Sequence, residues 1–131
     1  MGYRSDVMAL IYPEAQVECG EKAAYEQLKV LMATTFKEVV DEFFGSCMTW
    51  MDAEHVLKFD IPDVKWYPSY KDVQMFEKML ESFNPDSSDD IPGYCTEFIR
   101  IGEDNDDSED RRTGEDNQYY LQLRRSIDCN I

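Results

Sequence analysis

The period of apolar residues changes several times along this chain, and each change predicts an element. Asp6 to Tyr12 (D-V-M-A-L-I-Y) is a short, nearly continuous apolar run closed by Pro13. Its length and the bounding proline predict a buried strand rather than a helix. Pro13 to Gly20 reads as a loop. From Glu21 to Phe44 the period becomes helical, with Tyr25, Leu28, Met32, Phe36, Val39 and Phe43 recurring at steps of three and four. That stripe predicts one long core-facing helix of about six turns, with Gly45 as its C-terminal cap. Glu21, Glu26, Lys29, Lys37, Glu38, Asp41 and Glu42 fall largely off the stripe. Ser46 to Glu54 fits either a short helical extension or a strand.

His55 to Tyr67 reads as extended. Leu57, Phe59 and Ile61 alternate with Lys58 and Asp60, then Val64 and Trp66 resume one step out of phase beyond Pro62. One bent strand with a bulge at Ile61–Asp63 explains this better than a hairpin, since Ile-Pro is poor chemistry for a two-residue turn. Pro68-Ser69 opens a second helix, with Ser69 as the expected N-cap and Asp72 favouring its positive end. Its apolar face is Val73, Phe76, Met79, Leu80 and Phe83, and Asn84-Pro85 ends it. Asp86 to Asp90 is a polar loop.

Two further period-two segments follow. In Tyr94–Ile101 the residues Tyr94, Thr96 and Phe98 share one face and Cys95, Glu97, Ile99 and Ile101 the other. In Gln118–Ile127, Tyr119, Leu121 and Leu123 oppose Tyr120, Gln122 and Arg124. These predict a hairpin joined by an acidic loop at 103–116. The order is then β-α-β-α-β-β in a single α+β domain over residues 1–131. The economical arrangement is two layers: a mainly antiparallel four-stranded sheet with both helices on one face. The first β-α-β unit also admits a parallel pair through a right-handed crossover. The other sheet face would stay open, carrying Lys58, Asp60, Lys65 and some tyrosines, as a candidate contact surface.

Composition changes the picture mainly through charge. Apolar residues at 43% and aromatics at 13% of 131 residues are enough for a core. The net charge of −15 repels nucleic acid and anionic membranes and favours basic protein surfaces or cations. No apolar run approaches a membrane span. The start M-G-Y-R-S-D shows no signal-peptide pattern, and Asp6 stands where a myristoylation motif wants Ser or Thr. A cytoplasmic location is expected. Cys19, Cys47, Cys95 and Cys129 form no C-x-x-C pair. Free thiols are therefore expected, with Cys47 and Cys95 in or near the core.

Catalytic chemistry finds little support. The one histidine, His55, has no nucleophile or ligand set at a useful spacing, and the glycines make no phosphate cradle. No catalytic residue, metal or cofactor is expected. The segment Glu103–Asp116 holds eight carboxylates against Arg111 and Arg112. As a calcium loop, Asp104, Asp106, Ser108, Asp110 and Glu115 fall at ligand positions. However, Glu109 replaces the turn glycine and the flanks read as strands. The better use of these carboxylates is electrostatic: they are able to occupy Lys/Arg sites built for phosphates. The expected contact residues are Glu103, Asp104, Asp106, Asp107, Glu109, Asp110, Glu115 and Asp116, supported by Tyr119 and Tyr120. Arg111 and Arg112 interrupt that surface locally.

The segments M-G-Y-R-S-D-V, W-Y-P-S-Y-K-D-V, F-I-R-I-G-E-D and R-R-S-I together resemble small accessory proteins of tailed bacteriophages. The resemblance covers most of the chain and carries no catalytic residues with it. It implies a viral protein acting in the host bacterial cytoplasm, where such proteins often inhibit host or defence machinery by binding. The leading expectation is thus a non-enzymatic inhibitor engaging a basic surface, in its sharp form an anti-CRISPR-like protein or DNA mimic. The alternatives are a self-associating or virion-associated structural protein using the open sheet face, and a small nucleotide-binding or nucleotide-processing protein.

Overall fold

The apolar run at the start of the chain becomes the central strand of an antiparallel sheet. The computed structural model describes residues 3–15, 17–84, 91–104, 106–114, 117–123 and 126–131. In it β1 (Ser5–Pro13) lies between β3 (Val56–Val64) and β4 (Tyr94–Gly102), with β2 (Met48–Met51) and β5 (Ser108–Thr113) outermost. All four neighbouring pairs are antiparallel. The parallel crossover that a β-α-β order admits does not form. Ser46–Glu54 resolves instead into β2 and the turn of a hairpin, which returns the chain antiparallel to β1.

The bend in β3 falls where the phase slip puts it. Ser5 pairs with Val64 and Val7 with Ile61, so β3 carries one extra residue around Pro62-Asp63. Asp63 takes φ 51°, and its N–H donates to Asp6 Oδ1 at 2.9 Å. The N–H that Pro62 lacks falls where the ladder is already interrupted.

The long helix is broken. α1 (Glu21–Ala33) stops before Thr34, whose hydroxyl donates to the Val30 carbonyl at 2.7 Å. Two consecutive β-branched threonines, one bonding back to the preceding turn, weaken helix continuation here. The chain then makes a π-helical stretch, Val39–Phe44. Its wider turn rotates the stripe, so Phe44 is fully buried where the regular period puts Phe43. Gly45 is not a left-handed cap. It keeps φ −58°, and a Cβ there would sit 2.2 Å from the Val40 carbonyl oxygen. α2 (Lys71–Glu81) carries the expected apolar face, but its N-cap is Tyr70 rather than Ser69. Asp72 accepts from the Val73 N–H at 2.8 Å. Both helices pack on one face of the sheet, where Phe76 meets Phe59 edge-on at 5.0 Å.

The second half of the chain departs furthest from expectation. β4 pairs not with Gln118–Ile127 but with β5, which lies inside the segment expected as an acidic loop. The described residues beyond it, 117–123 and 126–131, contribute to the opposite sheet face. There Leu121–Leu123 (β6) and Ile127–Cys129 (β7) form a separate two-stranded ribbon. Leu121 is buried against Leu10, Tyr12, Val56, Cys95 and Ile99, making a second core. The described residues therefore give five strands in the main sheet, not four, and a third layer instead of an open face. Lys58 and Lys65 are half-buried and Asp60 is exposed beside it. None of the four cysteines, all of them among the described residues, forms a disulfide; Cys95 is buried, Cys47 half-buried and Cys19 exposed. No helix of the described residues is long and apolar enough to cross a membrane.

Candidate binding surface at the acidic hairpin

The described residues between β4 and β5 are tied back to one another. Gly102 N–H donates to the Asp107 carbonyl at 2.7 Å, and Asp107 N–H to that of Asp104 at 3.0 Å. A Cβ on Gly102 would lie 2.1 Å from Asp107 Oδ2 and 2.3 Å from the Tyr3 hydroxyl. Only glycine lets the inward-turned Asp107 come this close. Asp107 accepts from Arg100 Nη2 at 2.6 Å, from Arg100 Nη1 at 3.1 Å and from the Tyr3 hydroxyl at 2.6 Å. The Arg100 fork and the Tyr3 hydroxyl hold its carboxyl down to about 2. Arg100, its side chain 12% exposed, also donates to Glu109 at 2.7 Å and to the Ser5 hydroxyl at 3.0 Å.

β5 has little apolar content, and its side chains are fastened by charge. On the helix side, Arg111 lies over the Phe98 ring at 4.1 Å and forks onto Glu77 at 2.6 and 2.7 Å. The Glu77 carboxylate raises the Arg111 guanidinium above its ordinary value. On the other side, Arg112 reaches Glu97 at 2.5 Å, Asp110 at 2.9 Å and the Leu121 carbonyl at 2.7 Å. It also stacks on Tyr119 at 4.5 Å.

Glu97 is the centre of that side and is fully buried. Besides Arg112 it accepts from the Tyr12 hydroxyl at 2.6 Å and from the N–H groups of Tyr120 at 3.1 Å and Leu121 at 2.8 Å. A buried carboxylate is tolerated only with this kind of satisfaction. Burial first, and the bond to Glu97 second, raise the Tyr12 hydroxyl pKa well above the usual tyrosine range. Asn117 joins the network by donating to the carbonyls of Thr96 and Thr113, both at 3.0 Å. The 117–123 segment is thus hung on one buried carboxylate.

This arrangement divides the expected contact residues. Glu103, Asp104 and Asp106 are exposed on the turn, and among the described residues their side chains have no ion pair or hydrogen bond. Asp107, Glu109 and Asp110 are fastened internally to Arg100 and Arg112. Glu115 and Asp116 lie outside the described residues. Tyr119 is 57% exposed. Tyr120 is half-buried and packs edge-on against Tyr12 at 5.3 Å. The calcium-loop alignment is not a loop from Ser108 onward, since Ser108 and Asp110 lie on β5. Among the described residues no group of three or more His, Cys, Asp or Glu is arranged for a metal ion. His55 faces Glu21 at 3.5 Å and the Tyr25 ring at 5.3 Å.

Two concave surfaces escape the sequence reading. One is a cleft of about 540 Å³ between α2 and the hairpin, lined by Tyr3, Trp66, Gln74, Glu77, Arg100 and Glu109 among others. The other is an apolar groove of about 620 Å³ between the broken first helix and α2, lined by Leu31, Phe36, Val39, Met75 and Met79. Neither carries a short-range signal, because each joins residues distant in the chain. Glu97 did carry one: a carboxylate amid the otherwise uncharged run Y-C-T-E-F-I must find partners if the strand is buried. No protein-family model, curated protein or solved structure matches the chain.

Proposed function

We propose that this chain is a non-enzymatic binding protein that engages a basic surface on another protein through the turn 103–107. The observation that carries this reading is the division of carboxylates at the hairpin. Asp107, Glu109 and Asp110 are tied to arginines and stiffen the frame, while Glu103, Asp104 and Asp106 project from it uncompensated. A rigid frame lowers the ordering cost of binding, and the net charge of −15 speeds encounter with a cationic partner. The quoted resemblance supports a phage accessory protein that inhibits a host or defence protein in the bacterial cytoplasm. The arginines within the hairpin favour a compact contact over a long phosphate-like array, so the anti-CRISPR-like form of the proposal is preferred to the DNA-mimic form.

The test is a tagged pull-down from bacterial lysate at low and high salt, with bound proteins identified by mass spectrometry. The expected outcome is one dominant partner, weakened by salt and lost when Glu103→Gln, Asp104→Asn and Asp106→Asn are combined. Neutralising Asp107, Glu109 or Asp110 perturbs an arginine pair of the frame, so any such variant is read only after a thermal melt shows it folded. Retention of the partner by the triple variant sinks the assignment of the turn as the contact.

A further inference from the structure

The cleft between α2 and the hairpin has an unbalanced charge. Three carboxylates, Glu77, Asp107 and Glu109, share two guanidinium groups, Arg100 and Arg111, which leaves one negative charge over. The surplus is localised. Both oxygens of Glu77 accept from Arg111, and both of Asp107 from Arg100. Glu109 gives only Oε1 to Arg100, while its Oε2 lies 3.6 Å from Arg111 Nε, outside hydrogen-bond reach. That oxygen keeps the Arg111 ion pair but has no hydrogen bond, and it belongs to a cleft that Tyr3 and the mostly buried Trp66, 8% exposed, also line.

A carboxylate oxygen without a hydrogen bond, in a cleft also lined by aromatic rings, is the chemistry that holds a cation with a flat, hydrogen-bonding face. The hairpin already seats guanidinium groups this way, Arg111 between Phe98 and Glu77 and Arg112 between Tyr119 and Asp110. We propose that the cleft receives an arginine side chain of the basic partner, its guanidinium against Trp66 and donating to Glu109. This inference rests on the binding-protein reading above and names the group recognised. In this arrangement the exposed turn steers the partner and the cleft selects it.

The test uses full-length protein carrying Trp50→Phe, so that Trp66 is the sole tryptophan. The probe is a hexapeptide alternating glycine and arginine, at low ionic strength, with citrulline and lysine versions as controls. The expected result is a saturable change in Trp66 emission with the arginine peptide, and binding weaker by about tenfold or more with either control. Gln74→Phe, which fills the cleft from the exposed side of α2, and Glu109→Gln should each weaken the arginine peptide by about tenfold, a conservative figure for one charge-assisted contact. Thermal melts confirm that each variant is folded, and should Gln74→Phe fail to fold, Glu109→Gln and the citrulline control decide. Equal binding of the citrulline peptide, or a folded Gln74→Phe protein that binds normally, overturns the inference. So does a parent protein that ignores the arginine peptide. If the cleft variants are silent while the combined turn variant abolishes binding, the cleft inference fails and the proposed function survives. A lysate pull-down with no salt-sensitive partner removes the proposed function itself.

Discussion

Glu97 and Asp107 are both paired with arginines, but they differ in burial and so in how their contribution is read. Glu97 is fully buried beside Arg112, whose side chain is 11% exposed. Glu97→Ala leaves the Arg112 guanidinium with Asp110 and the Leu121 carbonyl, the Tyr12 hydroxyl with Asn117, and two backbone N–H groups without their acceptor. Breaking a buried ion pair on one side costs about 3–5 kcal/mol. Urea denaturation should show a loss of that order for Glu97→Ala. The double variant Glu97→Leu with Arg112→Leu should lose less than the two single changes summed, because the one carboxylate it leaves without its arginine, Asp110, is partly exposed to solvent. Strict additivity would mean that the two side chains are not coupled. Asp107 is different, because it is half-exposed and its contribution is read through pH. Its carboxyl is depressed from 3.8 to about 2, so the folded state binds the proton less readily than the unfolded chain. The stabilisation is therefore present above pH 3.8 and lost as pH falls toward 2. The stability curves of the parent and Asp107→Asn should be separated at neutral pH and converge across that window. A constant gap would mean that Asp107 acts through shape rather than charge.

Elements differ in how much of them the chain's pattern reveals, and the reason is what holds each one. β1, β3 and α2 are held by apolar burial, so period alone locates them, down to the bulge at Pro62-Asp63. The π-helical stretch is a packing decision, since nothing in V-V-D-E-F-F distinguishes a wide turn from a regular one until Phe44 finds its place beside Trp66 and Phe76. β5 is the instructive failure. S-E-D-R-R-T has almost no β propensity and reads as solvent-facing loop. It is a strand because each inner side chain meets a partner across β4: Thr113 meets Thr96, Arg112 meets Glu97, Arg111 meets Phe98 and Glu109 meets Arg100. Such cross-strand pairs stabilise a sheet, but they are visible only once register is known. The same charges blunt β5 as an exposed edge, where an apolar strand would invite pairing with other chains. The candidate site was legible as a dense run of acids. Which acids are free was not, because that depends on where Arg100, Arg111 and Arg112 reach.

For the molecule as a whole, the third layer decides what the sheet is available for. Without the segment that carries β6 and β7, Leu10, Tyr12, Val56, Cys95 and Ile99 would form a continuous apolar face, the kind of surface that drives self-association. Leu121, Tyr120, Ile127 and Cys129 cover it, and Glu97 sets their position by accepting from the backbone of Tyr120 and Leu121. Coverage of this face removes the surface on which a self-assembling role would most naturally be built, and directs attention to the charged hairpin. A chain ended after Asp116 tests that logic. It loses Leu121 from the second core and leaves Glu97 with only Tyr12 and Arg112 as partners. The expected product is a destabilised protein that binds a hydrophobic dye and elutes as concentration-dependent oligomers, measured by light scattering after size exclusion. The full chain should elute as a single species over the same range. A truncated protein that stays monomeric, dye-free and as heat-stable as the full chain would show that the sheet closes without its third layer. The exposed face would then return as a candidate contact surface in competition with the hairpin.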